Sequence, residues 1–258
     1  MSIKYVYPDL PRTGLCNMLF PWARAILFAR DNSLSVLAPQ WVKVGRIGPW
    51  LRGERDKRYY FRQFTNAGYV GGLRRQLVLR FCGSHIRRFS GMGNYFRDFM
   101  MESEYLHKAL MQITSPKVLA AVDRLPDEFI GAHIRRGDFV TIGLALQPDY
   151  YVKAIRTAYR TCGKDVPVLV FSDGAENELA FLRPLKDEGI NYIVMPKAPA
   201  IQDVLSLSRA RVLVATNRST FSEWGAFLGM GGGNVSIWSA ADKPPSLDPA
   251  LFKISFAE

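Results

Sequence analysis

A histidine, two arginines and an aspartate occur together in the segment His133-Ile134-Arg135-Arg136-Gly137-Asp138. It closes an apolar run, residues 129–135, that has the character of a buried strand. Side chains alternate along a strand, so His133 and Arg135 share one face. An arginine keeps its charge at any working pH and can hold a phosphate through two parallel hydrogen bonds. These residues predict an anion site. The structural alternative is a partly buried histidine whose hydrogen bonds are made within the protein, beside arginines that form ion pairs with Asp138.

A second polar pair, Ser172-Asp173, ends the apolar run 167–172 and is followed by Gly174. A carboxylate beside a hydroxyl can bind the hydroxyls of a ribose or the N–H edge of a guanine. Serine and aspartate are also preferred at helix N-termini, so the pair is equally consistent with an N-cap for a helix at 175–188.

A third segment, Thr216 to Gly225, leads from the apolar run 211–215 into a predicted helix. Hydroxyl groups and unpaired backbone N–H groups collect at such a helix start, which favours an anion. Ser219 or Thr220 would cap the helix, and Glu223 would complete a Thr-x-x-Glu capping box.

A fourth segment, Gly14-Leu15-Cys16-Asn17, opens a helix predicted for residues 18–30. Asn17 can cap that helix and offer its amide to a ligand. The segment is neither a GxGxxG sequence nor a P-loop, which disfavours a nicotinamide enzyme or an ATP hydrolase.

The elements that carry these segments alternate through the second half of the chain. Apolar strands are predicted at 129–135, 167–172, 190–195, 211–215 and 234–238, and helices at 149–161, 175–188, 201–209 and 219–229. This alternation predicts a parallel sheet of βαβ units, whose ligands bind beyond the carboxyl ends of the strands.

The first half of the chain is predicted to hold fewer regular elements. We expect strands at 3–7, 34–38 and 76–82, and helices at 18–30 and from Ser115-Pro116 to about Leu125-Pro126. The last of these marks the expected boundary between two domains, 1–125 and 126–258.

The composition excludes a disordered chain, since 48% of the 258 residues are hydrophobic and 12% aromatic. The net charge of +11 is concentrated in residues 43–88, which contain 12 Lys and Arg and only two acidic residues, Glu54 and Asp56. This basic segment predicts an anionic partner: nucleic acid, a membrane surface or a phosphorylated molecule. A solvated surface whose arginines pair locally is the structural alternative.

Cysteine usage and the N-terminus indicate a reduced compartment. The three cysteines are far apart and form no CxxC pair, and only three histidines are present, so neither a disulfide framework nor a metal site is expected. No apolar leader or membrane span is evident, which predicts a cytoplasmic protein.

Taken in order, GLCNMLF, HIRRGDF, FSDG and DVLSLSRARVLVATNRSTFSEWGAFL resemble the motif series of the α-1,2-fucosyltransferase family and its α-1,6- and protein O-fucosyltransferase relatives. The resemblance runs from residue 14 to about 228. It implies an α/β fold of the GT-B type, with two Rossmann-like domains facing a cleft. Residues 1–125 would bind much of the acceptor, and residues 126–258 would bind a GDP-sugar.

The resemblance also implies roles for individual residues. Arg135 would contact the donor diphosphate and stabilise the departing GDP, with His133 beside it. The remaining donor-binding residues would be Asn17, Ser172, Asp173, Asn217, Ser219, Thr220 and Phe221. Asp138 is a candidate general base, but it could equally serve as a bonding partner of Arg136 or of the backbone.

Two motifs depart from the family pattern. The usual Gly-Leu-Gly-Asn-Gln has Cys16 and Met18 here, which bears on acceptor specificity, and the second Asp of the usual FSDD is Gly174, which removes a nucleoside contact.

We therefore predict an inverting, metal-independent transferase that moves L-fucose from GDP-β-L-fucose to a glycan hydroxyl, α-1,2 to galactose, in surface polysaccharide or lipopolysaccharide synthesis. No cofactor is expected beyond the donor GDP-fucose. A lipid-linked glycan acceptor and a peripheral contact of residues 43–88 with the inner face of the membrane are further expectations, and no nucleic acid is expected. The alternatives are a non-catalytic glycan- or nucleic-acid-binding protein and a transferase that uses another GDP-sugar.

Overall fold

The computed structural model of the chain describes residues 2–41, 60–163, 165–241, 245–249 and 252–257. Within these ranges the chain divides into two units, Met1–Leu119 and Ala120–Glu258. Each unit is built around a parallel sheet. No helix within the described ranges is both long enough and apolar enough to cross a membrane.

The first unit is organised around three parallel strands, with Tyr5–Pro8 (β1) between Ser35–Val36 (β2) and Ile86–Phe89 (β3). Successive β1 side chains face opposite sides of the sheet. Val6 packs with the helix Leu15–Asp31 (α1) on one side, and Tyr7 packs with Val78 on the other. Within the described residues this unit also contains the helices Gly72–Phe81 (α2) and Ser103–Ile113 (α3), and 3-10 turns at Phe61–Gln63, Gly83–His85, Tyr95–Asp98 and Met100–Glu102. The helix Pro116–Val122 (α4) runs across the boundary between the two units.

The strand predicted at 76–82 is wrong, because these residues belong to helix α2. A short apolar run fits either structure by its local pattern. A tertiary contact decides in favour of the helix: Arg75 is buried, its Nε donates to the Ala38 carbonyl at 2.7 Å, and one of its terminal nitrogens donates to the Tyr7 hydroxyl at 3.1 Å.

The second unit contains six parallel strands in the spatial order β6-β5-β4-β7-β8-β9. The strands are Ile130–Ile134 (β4), Val168–Ser172 (β5), Tyr192–Val194 (β6), Val212–Val214 (β7), Val235–Ser239 (β8) and Lys253–Ala257 (β9). Counted from β4, this is the order 3-2-1-4-5-6 of a dinucleotide-binding Rossmann sheet. The predicted parallel sheet of βαβ units is therefore confirmed. The ends of the five predicted strands agree with those of β4 to β8 within two residues.

Helices connect the strands and bury the inner strands β4, β5 and β7. They are Gly137–Thr141 (α5), Pro148–Cys162 (α6), Arg183–Asp187 (α7), Ala200–Arg209 (α8) and Thr220–Gly229 (α9), with 3-10 turns at Glu176–Leu182 and Met230–Gly232. The single helix predicted at 175–188 is divided into the 3-10 turn and α7. Pro184 lies in the first turn of α7 and has no backbone N–H to continue the preceding turn.

Candidate functional site

Strands β4 and β7 are neighbours in the sheet, but the chain leaves them in opposite directions. From β4 it passes to β5 and β6 on one side, and from β7 to β8 and β9 on the other. In open α/β sheets such a switch point creates a crevice at the carboxyl ends of the strands, where ligands bind. The two segments predicted to bind an anion, 133–138 and 216–225, both begin at this point.

The Thr216 hydroxyl joins the ends of β4 and β7. Its Oγ1 donates to the His133 carbonyl at 2.7 Å and accepts the Arg135 backbone N–H at 3.2 Å. The Tyr151 hydroxyl, from α6, lies 2.8 Å from the same atom. A hydroxyl carries one proton, and that of Thr216 is used on His133, so Tyr151 is the donor in this contact. Three elements thereby fix the backbone on either side of the His133-Arg135 segment.

The His133 ring is buried and neutral. Its Nδ1 lies 2.7 Å from Ser222 Oγ, and its ring stacks on Phe221 with 4.9 Å between ring centroids. Burial, with a smaller effect from the nearby charge of Arg135, lowers the His133 pKa to about 3. At neutral pH the imidazole is therefore a neutral hydrogen-bonding and stacking group.

Arg135 and Asp173 face each other across the ends of β4 and β5. One terminal nitrogen of Arg135 lies 2.9 Å from Asp173 Oδ2, and Oδ1 accepts the Arg136 backbone N–H at 2.8 Å. Both side chains remain partly exposed, at 30% and 26%. The carboxylate thus holds a guanidinium that solvent, and hence a ligand, can reach. The ring of Phe139 lies beside the same guanidinium, with its centroid 5.5 Å from Cζ.

Ser172 and Asp173 do not cap the next helix, so that alternative is wrong. The N-cap of the turn Glu176–Leu182 is Ala175, whose backbone N–H donates to Glu178 Oε2 at 2.6 Å. Ser172 Oγ instead donates to the Ile134 carbonyl at 2.7 Å and accepts the Gly174 N–H at 3.0 Å. The pair joins the ends of β4 and β5.

Two glycines allow this close approach. A Cβ at Gly137 would collide with Asp173 Oδ2, and a Cβ at Gly174 would lie 3.1 Å from both Cβ and Cγ of Arg136. Gly174, the departure from the family pattern, therefore lets the loop after β5 lie directly against Arg136.

Asn217 is fully buried and bridges the ends of β7 and β8. Its Nδ2 donates to the Ser239 carbonyl at 2.9 Å, and its Oδ1 accepts the Ser239 N–H at 3.0 Å. This side chain therefore supports the loop that carries the next predicted donor residues, Ser219, Thr220 and Phe221.

The capping box predicted at Thr220 and Glu223 is wrong. The N-cap of α9 is Ser219, so Thr220 is the first helical residue, and the Ser219 side chain makes no capping hydrogen bond. The carboxylate of Glu223 instead accepts hydrogen bonds from the backbone N–H and the hydroxyl of Ser246, at 3.1 and 3.0 Å. A tertiary partner has replaced the local one.

Two further predicted site residues, Asn17 and Asp138, are not among the contacts described above. Asn17 belongs to the first unit and lies inside α1; the N-cap is Gly14, so the predicted capping role is wrong. Asp138 lies in the first turn of α5, but its side chain is not among those that the structure describes.

Sequence patterns did not single out the side chains of Tyr151, Ser222 and Asp203. Burial raises the Tyr151 pKa to about 12, so it stays a neutral donor. Ser222 Oγ accepts the Thr216 N–H at 3.0 Å in addition to contacting His133. Burial also raises the pKa of Asp203, in the first turn of α8, to about 7. Ser222 and Asp203 lie in the quoted motif stretch, whereas Tyr151 gives no local signal.

Within the part of the chain that the structure describes, no group of three or more His, Cys, Asp or Glu side chains is arranged to hold a metal ion.

Comparison with solved structures identifies the fold. The fucosyltransferase NodZ from Bradyrhizobium is 17% identical, with 88% of this chain and 94% of that chain covered and a TM-score of 0.50. POFUT1 in complex with GDP is 13% identical, with 88% and 94% covered and a TM-score of 0.55. A variant of FUT1 from Arabidopsis thaliana in complex with GDP is 12% identical, with 96% and 72% covered and a TM-score of 0.52. The predicted α/β fold of the GT-B type is confirmed.

A comparison with curated proteins found no match. The family model described as Glycosyl transferase family 11 matches residues 59–252, well over half of the chain. The prediction that the protein is a glycosyltransferase enzyme is thereby confirmed. The chain belongs to glycosyl transferase family 11, in agreement with the family relation predicted from its motifs.

Proposed function

We propose that the protein transfers L-fucose from GDP-β-L-fucose to a hydroxyl of a glycan acceptor. The observation that carries the proposal is the position of Arg135, a partly exposed guanidinium held 2.9 Å from Asp173 at the switch point of a Rossmann sheet. The relatives support the choice of donor, since a NodZ structure is described as an α-1,6-fucosyltransferase soaked with GDP-fucose and POFUT1 was solved with GDP.

In this proposal Arg135 acts on the leaving group. Breaking the bond between fucose and GDP builds negative charge on the diphosphate and positive character on the sugar. A cation that is already held in place stabilises that charge without reorganising during the reaction. Asp173 and Phe139 hold the guanidinium in this way. This electrostatic role is also the basis for proposing a reaction that needs no metal.

The neighbouring residues form the rest of the donor site. We assign His133 and Phe221, which stack on each other, to the wall of the donor pocket. Ser219 and Thr220, at the start of α9, would contact the phosphates. Ser172 and Asp173 would contact the donor while also making the protein contacts described above. Asn217, which is fully buried, would act on the donor site by supporting the loop that carries Ser219, Thr220 and Phe221.

The acceptor half of the reaction is proposed from the family resemblance. The acceptor hydroxyl would attack the anomeric carbon of fucose on the face opposite GDP, which inverts the configuration at that carbon as GDP leaves. Asp138 would take the proton of the acceptor hydroxyl. Asn17 would lie near the sugar and acceptor. We further propose an α-1,2 linkage to galactose within a surface polysaccharide or lipopolysaccharide, on a precursor that is lipid-linked.

The donor is tested by thermal shift with GDP-fucose and GDP-mannose in the presence of EDTA, followed by product analysis with galactose-terminated acceptors. We expect GDP-fucose to stabilise the protein more, and its turnover to survive EDTA. Stronger stabilisation by GDP-mannose would point to another GDP-sugar, and no binding or hydrolysis of GDP-fucose would overturn the proposal.

The role of Arg135 is tested by Arg135→Ala and Arg135→Lys, with Arg160→Ala on the exposed side of α6 as a matched control. Loss of a main transition-state donor costs about 10² or more in turnover. We expect that loss for Arg135→Ala and a smaller loss for Arg135→Lys, which keeps the charge but not the fork. Unchanged turnover of Arg135→Ala would show that the assignment is wrong.

A further inference from the structure

Helix α2, Gly72–Phe81, presents three large apolar side chains to solvent. Leu73 is 76% exposed, Leu77 49% and Phe81 73%. Residues four apart on a helix lie above one another, so the three form one row along its outer side. Single exposed apolar residues are ordinary on protein surfaces, whereas a row that covers the whole length of a helix indicates a contact surface.

The orientation of α2 is set by its inner side. Arg75 is buried, with hydrogen bonds to the Ala38 carbonyl and the Tyr7 hydroxyl, and Val78 packs with Tyr7, Leu37 and Ile86. The helix therefore keeps an arginine inside and places leucines outside, which reverses the usual preference of these residue types. The outward row is held by specific tertiary contacts.

Positive charge borders this row on both sides. A helix advances about 100° per residue, which places Arg80 about 20° from Leu73 on one edge and Arg74 about 20° beyond Phe81 on the other. Both arginines are exposed. Residues 60–88 contain six arginines and no acidic residue. The remainder of the predicted basic segment, 43–59, lies outside the described residues.

We propose that the outer face of α2, formed by Leu73, Leu77, Phe81, Arg74 and Arg80, docks on the surface of an anionic lipid bilayer. The apolar row would enter the boundary between headgroups and acyl chains, and the arginines would contact lipid phosphates. A ten-residue helix is about 15 Å long, too short to span a bilayer, so α2 would lie in the plane of the surface with its apolar row towards the acyl chains. An aliphatic row between arginines fits a bilayer better than nucleic acid, whose bases are bound by stacking and hydrogen bonds. This inference does not depend on the proposed donor or acceptor.

The test measures partition of the full chain onto vesicles by co-sedimentation. Phosphatidylcholine vesicles are compared with vesicles that contain about one third phosphatidylglycerol, at low salt and at about 0.5 M salt. We expect binding to the anionic vesicles at low salt, and weaker binding at high salt or on neutral vesicles. Absence of binding to anionic vesicles at low salt would overturn the proposal.

Two variants separate the apolar row from the charges. Leu73→Ser/Leu77→Ser/Phe81→Ser is expected to lower partition by about tenfold or more, because three apolar side chains no longer leave water. Arg74→Gln/Arg80→Gln is expected to lower it by about thirtyfold at low salt and to reduce the salt dependence. The matched controls are Met101→Ser, another exposed apolar residue, and Lys117→Gln/Arg124→Gln, which removes the same charge from α4 and the residues after it.

The substituted side chains are exposed, so the variants should fold, and their unfolding temperatures verify this. If either α2 variant bound as well as its control, the proposed surface would be wrong. Light scattering on the wild-type chain tests for a second copy as the occupant. A dimer that the triple serine variant abolishes, without any vesicle binding, would replace the bilayer by a protein interface.

Discussion

The contact made by the Thr216 hydroxyl gives the sharpest test of how the site is assembled. Thr216→Val keeps the size of the side chain and removes Oγ1. The hydroxyl makes three hydrogen bonds, with the His133 carbonyl, the Arg135 N–H and the Tyr151 hydroxyl. Each bond contributes about 1 kcal/mol, and a buried group that loses its partner costs more. The expected loss is therefore about 3 kcal/mol of unfolding free energy.

A loss of that size is large against the 5–15 kcal/mol by which proteins are typically stable. For a chain of this length, a loss of about 1 kcal/mol in unfolding free energy lowers the unfolding temperature by about 2–4 °C. The unfolding temperature of Thr216→Val should therefore be about 6–12 °C below that of the wild type. Thermal unfolding followed by the fluorescence of Trp224 and Trp238, both buried in the second unit, measures the change.

The matched control is Thr157→Val on α6, where the exposed hydroxyl donates to the Lys153 carbonyl one turn earlier. Its unfolding temperature should stay within about 2 °C of the wild type. Tyr151→Phe should cost about 1 kcal/mol alone and less on the Thr216→Val background, because the two variants remove the same bond. Equal unfolding temperatures for Thr216→Val and Thr157→Val, or full additivity with Tyr151→Phe, would refute the network.

Three further predictions concern groups around the same site. The His133 pKa of about 3 lies below the unfolded value, so the neutral ring contributes stability that is lost as pH falls from about 6.5 towards 3. The measurement is the difference in unfolding free energy between wild type and His133→Gln, taken by denaturant unfolding from pH 8 to 4. This difference should stay constant above pH 7 and shrink by up to about 1.4 kcal/mol per pH unit below pH 6. The Asp203 pKa of about 7 lies above the ordinary value of 3.8, so the neutral carboxyl contributes stability that is lost as pH rises from about 4 to about 7. Asp203→Asn should therefore equal the wild type near pH 4 and be more stable than it at pH 8 by about 1.4 kcal/mol or more, and a difference that does not change with pH would contradict this. Gly137→Ala should displace the Asp173 carboxylate that holds Arg135 and lower turnover by about tenfold, whereas Gly83→Ala, with open space around its Cβ, should leave turnover unchanged.

Much of the second unit could be predicted from its sequence because strand and helix signals there are local. Apolar runs of four to seven residues, separated by helical patterns, indicate buried parallel strands whatever the rest of the chain does. The strand β9, Lys253–Ala257, escaped prediction. It lies at the edge of the sheet, and its side chains are only partly buried or exposed, so it lacks a continuous apolar signal.

The first unit was harder to predict, because its elements depend on contacts that are distant in the chain. The run 76–82 could form a strand or a helix by its local pattern, and the bond from Arg75 to Ala38, 37 residues away, stabilises the helix. The same contact places Leu73, Leu77 and Phe81 on the outer side of the helix, where they are exposed.

The alternation of strands and helices in the second unit and the family of the chain could be predicted from the sequence, since both depend on residue types and short spacings. Which atoms meet depends on the fold instead. Thr216 bonds to His133, 83 residues away, and lies beside Tyr151, 65 residues away. Glu223 bonds to Ser246 instead of closing a local cap. Such contacts depend on how the strands are ordered in the sheet, and no spacing along the chain encodes that order.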